Sequence, residues 1–360
     1  MAEFMPNWDK TKERFKAFWQ GEIIDRCMVT VVAPKKGSKP INRPYPTNRE
    51  DQLAYWFDGE VVLKRHLEDF DNIYFGGDAM PRIFLNAGSA GHAGFFKGSR
   101  FDMTSNTVWF EPFIHDIEKD LLVFDPDSYL YKATFALAKY LVAEAKGRFF
   151  LSNPDTGGDL DALAHMRGSD NLLMDMVENQ DWIKDSMAAI AKVWTRYTKE
   201  MHDILYKHND CGSSVYWLGT WGPEKHGQLQ SDISVMFSAD NFKEFALSEL
   251  QYQCDWFDYP LYHFDGIEQI RHLDHLLSIE KLKAIQWTSV YGQPCILEYI
   301  PVLKKIQEAG KNLIVFAWDE KILEGLMKNL SSKGLFIISY APSEDEAKAF
   351  VKKVEKLTRE

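Results

Sequence analysis

Asp258-Tyr259-Pro260-Leu261-Tyr262-His263-Phe264-Asp265-Gly266 reads as a short buried strand that opens into a glycine turn. Residues two apart on a strand project to the same side, so His263 and Asp265 face one space. Parallel α/β folds gather their ligands at the carboxyl ends of strands, which is where this pair stands. A histidine and a carboxylate placed together can hold a metal, move a proton or grip a polar substrate.

Similar short apolar runs recur along the chain at Cys27 to Val32, Asn72 to Phe75, Arg148 to Leu151, Ser214 to Leu218, Leu261 to Phe264, Ala284 to Thr288, Leu313 to Ala317 and Leu335 to Ser339. They are rich in Val, Ile, Phe and Tyr and end in turn formers, as buried parallel strands do. Longer amphipathic stretches separate them. Thr47-Asn-Arg-Glu50 and Ser343-Glu-Asp-Glu346 are capping boxes, Ser238 is a further cap, and Gly147 and Gly310 sit at helix ends. Alternating strands and helices predict a single (β/α)8 TIM-type barrel of the α/β class spanning residues 1–360. The glycine-rich stretch Ala79 to Lys119 reads as an inserted excursion after strand two.

Composition narrows the function. Net charge is −11 with a pI near 5.5 and no basic cluster, which argues against nucleic acid or an anionic membrane. The four cysteines are widely spaced and lack any Cys-x-x-Cys, so neither a disulfide framework nor a structural zinc site is expected. No signal-peptide pattern opens the chain and no apolar run approaches a membrane span, so a cytoplasmic location is expected.

On the barrel reading, the strand ends define a pocket of aromatic walls and convergent polar groups. Trp217, Trp221, Trp287 and Tyr340 would shape it, and Glu224, Asp232, Gln286 and Asp319 are its further polar candidates. His263, Asp265 and Tyr340 carry the chemistry, with His263 and Asp265 as candidate metal ligands. Other features read as bland. His272-x-x-His275 lies inside the following helical run, Asp159 to Asp161 and Lys225-His226 read as surface loops, and Gly88-x-x-Gly91-x-x-Gly94 lacks the lysine and context of a phosphate loop.

Several stretches together resemble the uroporphyrinogen decarboxylase superfamily: Asp159-Leu-Asp-Ala-Leu-Ala-His-Met-Arg-Gly-Ser-Asp-Asn-Leu-Leu, Val177-Glu-Asn-Gln, Gln230-Ser-Asp-Ile-Ser, the run around Phe242 to Phe245, Tyr262-His-Phe-Asp-Gly, Leu282-Lys-Ala-Ile-Gln-Trp and Gly334-Leu-Phe. Their order and spacing carry the likeness, which implies a (β/α)8 barrel. The superfamily contains decarboxylases and zinc-dependent methyltransferases linked to corrinoid proteins or thiols. Arg26-Cys-Met-Val-Thr-Val-Val-Ala-Pro lacks the Arg-rich run that true decarboxylases use on their substrate, so the methyltransferase branch is the nearer one.

That branch binds zinc through His-x-Cys and a later Cys. Here His263 matches the histidine, Asp265 stands at the first Cys, and Tyr340 or its neighbourhood replaces the last. Oxygen in place of sulfur suits a harder metal, or an alcohol, ether or amine substrate. The resemblance thus implies a methyltransferase-like enzyme acting on a small methylated or hydroxylated substrate. Zinc or another divalent metal is the expected cofactor, and a corrinoid protein and a second copy of the chain are the expected partners. A decarboxylase of the uroporphyrinogen type and a non-catalytic small-ligand-binding barrel are the alternatives.

Overall fold

The computed structural model describes residues 7–359. Its strands are β1 (Met28–Pro34), β2 (Ile73–Gly77), β3 (Arg82–Phe84), β4 (Arg100–Met103), β5 (Val108–Glu111), β6 (Phe150–Ser152) and β7 (Gly212–Val215). They continue with β8 (Thr220–Pro223), β9 (His226–Leu229), β10 (Tyr259–Asp265), β11 (Ala284–Thr288), β12 (Asn312–Phe316) and β13 (Leu335–Tyr340). The fold is mixed α/β around a seven-stranded sheet in the order β2-β1-β13-β12-β11-β10-β9. Every pairing from β1 through β13 to β9 is parallel, and β1 lies against β13, so the first strand meets the last.

Every run expected to be a strand overlaps one, but two have a different role. Asn72 to Phe75 becomes β2, which pairs antiparallel with β1. It cannot be a parallel member of the sheet. Ser214 to Leu218 overlaps β7, which folds back on β8 as an antiparallel hairpin. On the side away from β11, the parallel neighbour of the His263 strand is β9, a polar sequence without the apolar run that marks a strand. Side-chain bonds explain its burial. His226 Nδ1 donates to the Tyr259 carbonyl at 2.7 Å, and its Nε2 accepts from the Thr220 hydroxyl at 2.7 Å. Each buried polar atom is thereby satisfied inside the fold, which removes the usual cost of burying it. Lys225-His226 was expected in a surface loop; His226 is instead fully buried.

Residues 79–119 hold more than an excursion. β3 pairs in parallel with β6, while Gly91–Phe95 forms a short 3₁₀ turn and β4–β5 a hairpin. At the helix ends, Ser343 and Ser238 cap as expected. The Thr47 box is displaced by one residue: Asn48 is the cap and accepts from Asp51 N.

Strand alternation sorts the core into two faces. Leu261, Ala284, Ile314 and Phe336 pack on one side, against Trp8, Phe15 and Phe18 of the helix Trp8–Trp19. Tyr262, Phe264, Ile285, Trp287, Val315 and Ile337 pack on the other, against the surrounding helices. Asp78 ties the amino-terminal helix to the sheet. Its carboxylate accepts from Arg14 Nη1 at 3.0 Å, Arg26 Nη1 at 2.6 Å and Val29 N at 3.1 Å.

Removing that carboxylate would take the close ion-pair partner from the buried Arg26 and one of two from Arg14, which keeps Asp25. Asp78→Ala should therefore cost about 3–5 kcal/mol in urea unfolding, well above an ordinary surface substitution. A loss under about 1 kcal/mol would contradict this role.

Candidate active site

The register of β10 on β11 sets His263 beside Gln286. Gln286 Oε1 accepts from His263 Nδ1 at 2.5 Å, while Gln286 Nε2 donates to Thr288 Oγ1 at 2.9 Å. The proton on Nδ1 leaves Nε2 with a bare lone pair, 4.0 Å from Asp265 Oδ1. Burial pushes the His263 pKa down, against the opposing pull of Gln286 and Asp265. The Trp217 ring stands edge-on to the imidazole at 4.6 Å.

Asp232 completes the group. It opens the 3₁₀ turn Asp232–Met236 directly after β9. Its Oδ2 accepts from Gln230 Nε2 at 3.0 Å, and its Oδ1 is buried with no hydrogen-bond partner. One ligand atom from each of Asp232, His263 and Asp265 lies within 4.8 Å of the others. Burial, then the charges of Asp161, Asp265 and Asp155, raise the Asp232 pKa well above the usual carboxylate range. A cation between these donors would satisfy the orphaned oxygen and relieve the repulsion. Two oxygens and one imidazole nitrogen fit zinc or a harder divalent ion.

Behind the group lies a buried acidic shell. Asp159 to Asp161, read from the sequence as a surface loop, start the helix Asp159–Arg167, and both aspartates are at least nine-tenths buried. Asp161 accepts from the backbone N–H groups of Asp232 and Ile233, each at 2.9 Å, and so holds the turn that presents Asp232. Asp159 pairs with His92 at 3.1 Å. Glu249 caps the helix by accepting from Asp159 N and Leu160 N. Leu160, Ala162, Leu163 and Ala164 spread apolar residues round this helix, the sequence mark of a buried one.

Of the remaining expected residues, Gln286 and Trp217 join the site and the others do not. Trp287 is one residue from Gln286 and so faces away, stacked on Phe264 at 5.3 Å. Trp221 is fully buried against Trp8, and its Nε1 donates to the Asn209 carbonyl. Glu224 accepts from Tyr206 OH, and Asp319 caps the helix Glu320–Asn329. His272, like His226, is structural: its Nε2 donates to the Ser234 carbonyl.

Two cavities meet at Trp217. The smaller, about 250 Å³, is lined by Asp155, Gln230, Asp232 and His263. The larger, about 880 Å³, takes in Tyr340, Tyr216, Arg65 and Arg82. Tyr340 therefore sits in the adjoining space, stacked on Trp318, and outside the donor group.

A methyltransferase from Methanosarcina mazei has a similar structure, with a TM-score of 0.60 over 96% of this chain and 98% of that one. The likeness is one of fold. Identity is 12%, too low to carry residue roles across. No family model matches the sequence, and no curated protein matches it. No helix among the described residues is long and apolar enough to cross a membrane.

Burial raises Asp155 from 3.8 to about 6, against the bonds it accepts from Gly157 N and Gln228 Nε2. A carboxyl raised in the folded state contributes stability that is present below its unfolded pKa and lost as pH rises through the folded value. Asp155 should therefore cost the fold up to about 3 kcal/mol between roughly pH 4 and pH 6. Asp155→Asn should remove that part of the decline in urea titrations at pH 4 and pH 7. Equal declines in both proteins would refute the assignment.

Proposed function

We propose that the chain is a methyltransferase-like enzyme of the uroporphyrinogen decarboxylase-like type, acting on a small methylated or hydroxylated substrate. The observation that carries this reading is the Asp232–His263–Asp265 donor group with its orphaned buried oxygen, set in a fold like that of a methyltransferase. The reading includes a closed (β/α)8 barrel, in which β3 and β6 join the six parallel strands of the main sheet. Two bonds support closure: Asn153 N donates to the Ser214 carbonyl at 3.0 Å and Asn153 Nδ2 to the His226 carbonyl at 2.9 Å.

In this reading His263 Nε2 and the carboxylates of Asp232 and Asp265 hold zinc or another divalent cation. Such a cation would act as a Lewis acid on a substrate heteroatom. The protein residues do the rest. Gln286 keeps the His263 proton on Nδ1, Asp161 fixes the turn bearing Asp232, and Trp217 shields the group from water. Asp155, at about 6, is placed to take or return a proton in the same cavity near neutral pH. None of the four cysteines belongs to the donor group, so an alcohol, ether or amine substrate is favoured over a thiol. A corrinoid carried by a partner protein is the methyl carrier on the other side of the reaction.

Elemental analysis of purified protein tests the centre. Wild type should carry about one divalent ion per chain, and His263→Ala and Asp232→Asn should each lower occupancy tenfold or more. Unchanged metal content in His263→Ala would sink the reading. Carbon dioxide release from uroporphyrinogen would replace it with the lyase.

A further inference from the structure

The chain is strongly acidic, yet the walls of the 880 Å³ cavity carry cationic groups without acidic partners. Arg82, on β3, is 5% exposed and makes no ion pair with any described residue. Its Nη1 donates to the Tyr216 carbonyl at 3.3 Å and its Nη2 to the Gly219 carbonyl at 2.7 Å, while its Nε is buried with no partner. A guanidinium has five N–H donors, so two carbonyl bonds leave most of its capacity unused and its charge uncompensated.

Arg65 is alike. It lies over the Tyr55 ring at 4.0 Å, donates only to Tyr55, and its Nε is also buried and unpartnered. The acid on this wall, Asp69, is committed to Arg43 at 3.1 Å. Burial depresses both arginines, Arg82 to about 9, so an anion alongside would be stabilising for each. Aromatic faces make up much of the remaining wall: Phe75, Tyr216, Trp217 and Tyr340.

We propose that this cavity is an anion subsite, in which Arg82 and Arg65 receive the carboxylate of a ligand whose aromatic or apolar body packs between Tyr216, Trp217 and Tyr340. A forked guanidinium matches the two oxygens of a carboxylate, and the aromatic walls match a planar body. The volume exceeds what a one-carbon alcohol or amine would fill, and falls in the range that encloses larger ligands. Trp217 also lines the smaller cavity, so a molecule anchored here rests against the indole that borders His263. The subsite itself needs no metal and no methyl transfer.

Calorimetry on the purified protein tests this with three probes: benzoate, its neutral isostere benzamide, and inorganic phosphate. Benzoate should bind, benzamide at least tenfold more weakly, and phosphate more weakly than benzoate. Arg82→Gln and Arg65→Gln should each weaken benzoate about tenfold or more while leaving benzamide unchanged. Arg82 also holds the turn at Tyr216 and Gly219, so Arg82→Lys and near-ultraviolet circular dichroism guard against misfolding. Arg65→Gln keeps the test decisive, because Arg65 donates only to Tyr55. Equal affinity for benzoate and benzamide, no binding of benzoate, or variants that bind benzoate as wild type does would each overturn the proposal. Phosphate binding tighter than benzoate would overturn the carboxylate class. Metal content is read separately, so failure of the catalytic reading leaves this result standing.

Discussion

The parallel register of Tyr259–Asp265 on Ala284–Thr288 is the constraint from which the rest of the site follows. Backbone hydrogen bonds fix which residues stand side by side, and pleat alternation fixes which face each takes. His263 and Gln286 are partners for that reason. A slip of one residue would turn Tyr262 and Trp287 inwards and bury the imidazole among helices. The apolar faces on either side resist such a slip, because each packs against its own core.

The same alternation shows what the sequence could convey. Ala284 to Thr288 was legible to the residue, and β10, β12 and β13 to within two, because buried parallel strands are written as apolar runs. Direction is not so written. Nothing in Asn72 to Phe75 says that it runs antiparallel to β1. β9 was invisible for the opposite reason: its stability comes from His226 and Gln228 finding partners far away in sequence. Trp287 obeys the same rule, since neighbours on a strand cannot share a face and Gln286 takes the side of His263. Asp159 and Asp161 were misread because acidic residues usually mean solvent. The apolar residues around them carried the contrary signal.

Charge is distributed within the molecule against its overall sign. Carboxylates crowd behind His263, where one kind caps a backbone segment and another leaves an oxygen without a partner. Asp161 and Glu249 belong to the first kind and hold loops in place. Asp232 belongs to the second. Preorganised groups of that sort are costly to the fold, and such costs collect where a protein does chemistry. The guanidinium groups of Arg65 and Arg82 line the neighbouring space, on the other side of one indole.

That indole has a consequence for molecular size. Trp217 is a partition between a compartment of about 250 Å³ and one of about 880 Å³. One side chain thus forms a wall common to both spaces. With the ring edge-on to His263 the indole borders both rooms, so a smaller side chain there would enlarge the space that each can share. A change at this one position would alter the size of molecule the two spaces could hold together, leaving every acid, base and strand where it is.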